Sequence, residues 1–283
     1  NIWIQPAAGD AGGSIGAALA YWHVELGRPR KNLGLDQMNG SYLGPEFNNE
    51  EIEKKLNGLG AKFEFLNDDE LIEKTASDLS KGCGIGWFQG RMEFGPRALG
   101  GRSIIADPRL ETMQKTLNLK VKFRESFRPF APSVLREDVS NWFDFDKDSP
   151  YMLMVSNIKK EKQKKMSNEE KKLFGIEKLN IKRSDIPAVT HVDYSARIQT
   201  VNKKTNERYY NLIKKFKEKT NCPVIVNTSF NVRGEPIVNS PEDAFNCFMG
   251  TELDKLVIGN YYLEKKEQNP NLKKDYKKKF KLD

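Results

Sequence analysis

The chain has 283 residues, of which 38% are apolar and 30% charged, so it can bury one large core or two smaller ones. No apolar run approaches the ~20 residues that a membrane-spanning helix needs, and we expect no membrane partner. The three cysteines, Cys83, Cys222 and Cys247, form neither a metal-binding pair nor a disulfide framework. This pattern favours a reducing, cytoplasmic location.

The net charge of +8 comes largely from two lysine-rich stretches, residues 159–172 and 273–281. A solvated surface is the simpler interpretation of both stretches, and a patch that binds nucleic acid or an anionic membrane is the alternative. Nucleic-acid binding usually adds aromatic side chains that stack on bases, and these stretches offer only Tyr276 and Phe280. We therefore expect no nucleic-acid partner.

The beginning of the chain reads as a strand at residues 2–4, a glycine-rich turn at 9–13 and a small-residue helix at 14–22. Because an enzyme rarely starts inside a strand–turn–helix unit, we interpret residues 1–27 as the end of an upstream domain. Residues 28–48 carry several Gly and Pro and no periodic pattern, which is typical of a connector.

From residue 49 to residue 265 helices and strands alternate, which predicts an α/β fold with a mixed sheet. The predicted elements are a helix at 50–57 capped by Asn49, a strand at 62–66, a helix from Asp68 to Gly82, a strand at 84–88, a helix that starts at Asp107-Pro108, a helix at 208–219, a strand at 223–227, a helix from the capping box at Ser240 to Gly250, and a strand at 256–263. The lysine-rich tail, residues 266–283, is expected to be disordered because its last eleven residues have almost no apolar anchor.

The first of three candidate ligand-binding segments is QGRMEFGPRALGGRS, residues 89–103, which follows a predicted strand. Glycine lets backbone N–H groups approach a ligand closely. Arg91, Arg97 and Arg102 can each bind phosphate oxygens through two N–H groups. A structural loop with surface arginines is the alternative, but arginines spaced among glycines favour an anion-binding loop.

The second segment is KVKFRESFRPFAP, residues 120–132. If it begins extended, Lys120, Lys122 and Arg124 share one face and form a cationic row over a core-facing strand. Arg128 follows within the turn that two prolines fix. An exposed strand face is the alternative interpretation of this segment.

The third segment is VIVNTSFN, residues 224–231, in which a buried strand ends in Asn227, Ser229 and Asn231. Hydroxyl and amide groups at the carboxyl end of a strand can orient a polar ligand. The same residue types are also ordinary turn formers. Together the three segments predict a site for an anionic, phosphorylated small molecule. The sequence contains no P-loop, no dinucleotide fingerprint and only two histidines.

The segments GRMEFGPRALG (90–100), FRPFAPS (127–133) and NTSFN (227–231) resemble, in the same order, the signatures of the NodU and tobramycin carbamoyltransferase family. The resemblance implies an N-terminal domain of the actin/Hsp70-like ATPase superfamily and a C-terminal YrdC-like domain, which here would be residues 49–265. It also implies that the YrdC-like domain makes carbamoyladenylate from carbamoyl phosphate and ATP with Mg²⁺. The other domain, with a bound iron, would pass the carbamoyl group to a hydroxylated small-molecule acceptor.

The resemblance also assigns residues, because Lys122–Arg124 and Ser229–Asn231 match the Lys-x-Arg and Ser-x-Asn pairs of YrdC-like domains. We predict a catalytic set and a nucleotide-binding or carbamoyladenylate-binding set. The catalytic set is Lys122, Arg128 and Ser229, and the binding set is Arg91, Arg97, Arg102, Arg124, Arg197, Asn227 and Asn231.

The motif PAAGDAGG, residues 6–13, resembles the last motif of the ATPase-like domain, in which the aspartate binds the metal. Asp10 matches that aspartate, and a helix cap is its alternative role. The family's two histidines, spaced four residues apart, are absent from this sequence. We therefore expect iron only in a full-length enzyme, and we expect this chain to activate the carbamoyl group without completing its transfer.

Two other functions stay open at this point. A YrdC-like domain could make threonylcarbamoyladenylate from threonine and bicarbonate, although the glycine–arginine signature and Asp10 argue against that. A basic cleft could alternatively bind RNA without catalysis, and its affinity would then depend strongly on salt.

Overall fold

The computed structural model describes residues 3–31, 36–179 and 181–280. Within these residues the strands are β1 (Glu64–Phe65), β2 (Ile85–Phe88), β3 (Arg102–Ala106), β4 (Ala131–Leu135), β5 (Met154–Asn157), β6 (Ser195–Val201), β7 (Val224–Ser229), β8 (Lys255–Ile258) and β9 (Tyr261–Glu264). They form a single sheet in the order β1-β9-β8-β2-β3-β7-β4-β6-β5. The pairs β2–β8 and β4–β6 are parallel and the other neighbours are antiparallel, so the predicted mixed sheet is confirmed.

Helices occur between most of these strands along the chain, as the alternating pattern predicted. They are α1 (Asp10–Ala20), α2 (Asn49–Gly58), α3 (Asp68–Ser80), α4 (Met113–Leu117), α5 (Val139–Trp142), α6 (Asn168–Lys172), α7 (Gly175–Leu179), α8 (Glu207–Thr220), α9 (Pro241–Gly250) and α10 (Tyr276–Lys279). Of these, α8 and α9 pack directly on the sheet. None of the helices in the described ranges is long and apolar enough to cross a membrane.

The core follows the predicted helix periodicity. Tyr209, Leu212, Ile213 and Phe216 are all fully buried on one face of α8, which packs on β4 and β7. Capping boxes begin α2, α3 and α9, the last at Ser240 as predicted. The cap of α2 is Asn48 and not Asn49, because the Asn48 side chain accepts the N–H of Glu51.

Two predicted elements are wrong. No helix starts at Asp107-Pro108, because the Asp107 carboxylate accepts the N–H of Arg109 and pairs with its guanidinium at 2.6 Å. The chain becomes helical only at α4. The predicted strand at 256–263 is two antiparallel strands, β8 and β9, because Gly259 has a φ of 54° and reverses the chain.

The two ends of the chain also differ from their predictions. Trp3 and Ile4 are not in a strand, residues 1–2 lie outside the described residues, and α1 starts at Asp10, four residues before the predicted helix. In the connector, the part from residue 36 to 48 packs on the glycine–arginine segment: the N–H of Gly44 donates to the Met92 carbonyl at 2.9 Å. In the tail, Tyr276 is buried and is an apolar anchor that the sequence analysis missed.

Candidate functional site

The three motif segments meet at one end of the sheet because β7 lies between β3 and β4. Ser229, at the end of β7, pairs with Ser103 near the start of β3. Asn227 pairs with Ala131 at the start of β4. The end of one strand and the starts of its two neighbours therefore carry residues 89–103, 120–132 and 224–231 to a common place.

Arg102 organises the glycine–arginine segment from inside. It is fully buried, and its guanidinium lies 3.5 Å from the centroid of the Phe88 ring. Its two terminal nitrogens donate at 3.0–3.1 Å to the backbone carbonyls of Gln89, Gly90, Gly101 and Pro45. The terminal N–H groups of Arg102 that were predicted to bind a nucleotide are therefore already bonded to backbone carbonyls. In this structure Arg102 holds the loop in shape. Burial lowers the pKa of Arg102 to about 10.

Glu93 is a residue of this loop that the sequence analysis missed. Its buried carboxylate accepts the N–H groups of Leu99 and Gly101 at 2.6 and 2.7 Å. These bonds close the loop between Glu93 and β3 and fix the backbone on both sides of Gly100, whose φ of 110° favours glycine. A glutamate in a loop is usually solvated, so nothing in the sequence distinguishes Glu93 from a surface residue.

Arg97 and Arg197 form a pair of cations without anionic partners. The Nε atoms of both side chains are buried and have no hydrogen-bond partner, and neither arginine forms an ion pair within the described ranges. Arg197 lies on β6, the strand beside β4. Burial and the charge of Arg97 lower the pKa of Arg197. Guanidinium groups with unpaired N–H donors can bind an anion.

Asn227, in the third segment, adds an unsatisfied acceptor next to the segment that carries Arg97. Its side-chain Nδ2 donates to the Ala98 carbonyl at 3.1 Å and to Oε1 of Gln199 at 2.8 Å. Its Oδ1 is buried without a partner. The bond to Ala98 ties β7 to the residue that follows Arg97, so Asn227 and Arg97 belong to one group of polar side chains. Buried polar atoms without partners are rare in folded proteins and often face a ligand.

Lys122 lies in a second group with Ser229 and Asn231. Its Nζ donates to the Ser229 carbonyl at 2.5 Å, to Ser229 Oγ at 3.2 Å, and to the carbonyl and Oδ1 of Asn231 at 3.0 and 2.8 Å. Burial, followed by the nearby charge of Arg124, lowers its pKa to about 7. The ammonium is surrounded by neutral oxygens, so a phosphate or carbamoyl oxygen could replace some of them.

The predicted cationic row on an extended strand is wrong. Residues Asn118–Lys122 form one turn of π-helix, and Phe123 then takes a left-handed conformation with a φ of 50°. This turn places Lys122 in the interior and leaves Lys120 exposed. The interior position of Lys122 arises from the π-turn. The prediction of an extended strand with alternating faces could not anticipate that turn.

Arg124 and Arg128 border the Lys122 group. Arg124 Nε donates to Asn118 Oδ1 at 2.6 Å, and its guanidinium lies 5.0 Å from the Phe130 ring centroid. Burial, followed by the charge of Arg128, lowers the pKa of Arg124 to about 10. Arg128 is exposed and forms an ion pair with Glu125 at 2.8 Å. It therefore lies at the rim of the site and not inside it.

Arg91 and Asp10 lie apart from these groups. Arg91 is exposed, donates to the Gly44 carbonyl at 3.2 Å and lies 3.4 Å from Glu46. Asp10 is the exposed first residue of α1. Within residues 3–31, 36–179 and 181–280 no three His, Cys, Asp or Glu side chains are placed to hold a metal. Asp10 thus belongs to no such group among these residues, so iron stays a prediction for the full-length enzyme and we derive no step through it.

The structure brings six of the predicted residues together: Arg97, Lys122, Arg197, Asn227, Ser229 and Asn231. They line one end of a mixed sheet with cations, amides and a hydroxyl. The molecule is thus an α/β protein whose candidate site suits an anionic ligand with several oxygen atoms.

Comparison with known proteins identifies the family. Residues 76–265 match the family model "Carbamoyltransferase C-terminus". An uncharacterized protein of Synechocystis is 58% identical over all of this chain and 46% of its own length. Nodulation protein NolO of Bradyrhizobium diazoefficiens is 41% identical over 94% of this chain and 45% of its own length. The 3'-hydroxymethylcephem-O-carbamoyltransferase of Streptomyces clavuligerus is 29% identical over 92% and 43%.

This chain belongs to the carbamoyltransferase family of NodU type and corresponds to its C-terminal part, as the sequence motifs predicted. It spans less than half the length of each of these three relatives.

Proposed function

We propose that this chain is the carbamoyl-activating part of an ATP-dependent O-carbamoyltransferase, with a YrdC-like activating domain. The observation that carries the proposal is the pair Arg97 and Arg197, whose guanidinium groups are only partly hydrogen-bonded, together with the buried Lys122 that Ser229 holds at the end of β7. Such a concentration of cations at the ends of adjacent strands suits a triphosphate. The carbamoyltransferase name of the Streptomyces relative supports the reaction class.

The proposed reaction has two balanced steps. Water first cleaves carbamoyl phosphate to carbamate and inorganic phosphate. A carbamate oxygen then attacks the α-phosphorus of ATP, the bond between the α-phosphorus and the bridging oxygen breaks, and Mg²⁺-pyrophosphate leaves. The product is carbamoyladenylate, a mixed anhydride that is ready for attack by an acceptor hydroxyl.

The protein's main task in this reaction is to position the reactants and to stabilise charge on phosphate oxygens. We assign Arg97 and Arg197 to the phosphate chain of ATP. Lys122 would stabilise the α-phosphate and the carbamoyl oxygen. The Asn227 Oδ1 atom, which has no partner, is an acceptor for the carbamoyl N–H₂ group.

The assignment of Arg97 and Arg197 to the phosphate chain can be tested directly by measuring ATP binding. Arg97→Ala and Arg197→Ala should each weaken the affinity for Mg²⁺-ATP by about 10-fold or more, because each removes a charge-assisted hydrogen bond worth about 1.5–3 kcal/mol. Isothermal titration calorimetry on the purified variants measures the dissociation constants.

Arg136→Ala is the matched control for that experiment. Arg136 is also partly exposed, but it pairs with Asp148 beyond the other end of β4, so its removal should leave ATP affinity unchanged. Wild-type ATP affinity in both the Arg97 and Arg197 variants would contradict the assignment of the phosphate chain to this pair.

A further inference from the structure

The C-terminal tail packs beside the Lys122 group. Tyr276, which lies beyond the residues that match the family model, is 2% exposed. Its ring covers Gly250 at the end of α9 so closely that a Cβ atom on Gly250 would lie 2.2 Å from Cδ2 of the ring. Phe280 packs on the other side, with the two ring centroids 5.2 Å apart. The tail is therefore anchored at this position.

Glu235 connects the tail to a turn formed by residues 231–235, here called the Asn231 turn. One carboxylate oxygen of Glu235 accepts the N–H of Val232 at 2.9 Å, and its backbone carbonyl accepts Nδ2 of Asn231 at 2.7 Å. Tyr276 and Phe280 of the tail line one cavity with Arg233 of this turn and with Phe123 and Arg124, which follow Lys122. Burial and the nearby Glu235 carboxylate raise the pKa of Tyr276. The Asn231 turn, which Glu235 closes, thus has the tail beside it.

The Asn231 turn also holds Lys122. The carbonyl and Oδ1 of Asn231 accept Nζ of Lys122 at 3.0 and 2.8 Å. The N–H of Arg233 donates to the backbone carbonyl of Lys122 at 3.2 Å. The position of the ammonium group and the position of its backbone are both set by this turn. Tyr276 thus lies beside Arg233 of the Asn231 turn, and that turn bonds both the backbone and the ammonium of Lys122.

We infer that residues 270–280 act as a strap that positions Lys122, with Tyr276 as the positioning residue. The strap lies outside the residues that the family model matches. The inference rests on the proposed function only for what Lys122 does in the reaction. Its structural part, that the tail protects and orients Lys122, can be measured without any catalysis.

Two variants disturb the strap by different routes. Tyr276→Phe removes the hydroxyl that faces Glu235 and keeps the ring. Gly250→Ala keeps the tyrosine but inserts a methyl group where the ring lies. Gly58→Ala is the matched control, because Gly58 also ends a helix and a Cβ atom there meets nothing within 4 Å.

The first readout is the rate at which acetic anhydride modifies Lys122, measured by mass spectrometry. Lys255, on β8, is the internal reference, because its side chain is only 13% exposed and pairs with Glu264 of β9 at 2.8 Å. Both strap variants should raise the modification rate of Lys122 relative to that of Lys255, and Gly58→Ala should not. The ratio separates local loosening from general destabilisation.

The second readout is pyrophosphate exchange into ATP. Both strap variants should lower its kcat by about 10-fold, the scale on which residues that orient a reactive group act. The KM for ATP should stay unchanged, because Arg97 and Arg197 do not contact the strap. If the ratio of the Lys122 and Lys255 modification rates were unchanged in both folded variants, the inferred role of the strap would be wrong. Absence of exchange in the wild-type chain would count against the proposed function instead, while the modification rates would still decide on the strap.

Discussion

Lys122→Ala should lower carbamoyl-phosphate-dependent exchange of labelled pyrophosphate into ATP by ~10²-fold or more. This is the loss observed when one preorganised, charge-stabilising donor is removed from an active site. The environment of Lys122 makes the effect large: the side chain is 4% exposed, and its ammonium is held by Ser229 and Asn231. No water-exposed cation could replace it without moving the backbone.

Lys120→Ala is the control for this variant. Lys120 lies two residues away in the same π-turn but is exposed, so the charge of the chain falls equally and the site stays intact. Exchange should remain near the wild-type rate. Near-normal exchange in a folded Lys122→Ala variant would show that Lys122 has only a structural role.

Arg102→Met should destabilise the fold by about 3 kcal/mol, because the carbonyls of Gln89 and Gly90 lose their donor at a cost of about 1–3 kcal/mol each. The carbonyls of Gly101 and Pro45 still accept the backbone N–H groups of Gln89 and Met92. Methionine keeps much of the volume over the Phe88 ring, so the loss reports mainly on hydrogen bonds. For a chain of this size, that loss corresponds to a fall in Tm of about 6 °C. Urea unfolding and calorimetry measure both quantities.

Arg91→Ala tests the same loop from its surface. Arg91 is exposed and shares its contacts with solvent, so its removal should change the free energy of unfolding by less than about 0.5 kcal/mol. If Arg102→Met were as stable as Arg91→Ala, the arginine would not be the internal support of the loop. Its terminal nitrogens would then be free to bind a ligand, as the sequence analysis first predicted.

The helices with strong periodicity and caps could be predicted from the sequence. The buried face of α8 and the capping box of α9 follow from local rules. Strands β3, β4, β5 and β6 were not predicted. Their pairing depends on partners that are distant in sequence, such as Ser133 with Gln199. Local patterns carry no information about such long-range pairs.

The sequence predicted which segments form the candidate site, but not how their side chains are placed within it. Arg97 and Arg102 look equivalent in the sequence, and both have a buried Nε without a partner. Only Arg102 also donates from its terminal nitrogens to the carbonyls of the loop and so supports it from within. Lys122 was predicted in the site for the wrong reason, because a π-turn and not an extended strand brings it there. Which arginine of a glycine-rich loop turns inward depends on carbonyls such as that of Pro45, 57 residues away.

The central claim is that this chain activates a carbamoyl group by adenylation, and exchange of labelled pyrophosphate into ATP measures that reaction most directly. We predict exchange that requires carbamoyl phosphate and Mg²⁺ and falls in the Lys122→Ala variant. Threonine with bicarbonate should not replace carbamoyl phosphate. Exchange supported by threonine and bicarbonate but not by carbamoyl phosphate, or no exchange from a chain that binds ATP, would contradict the account.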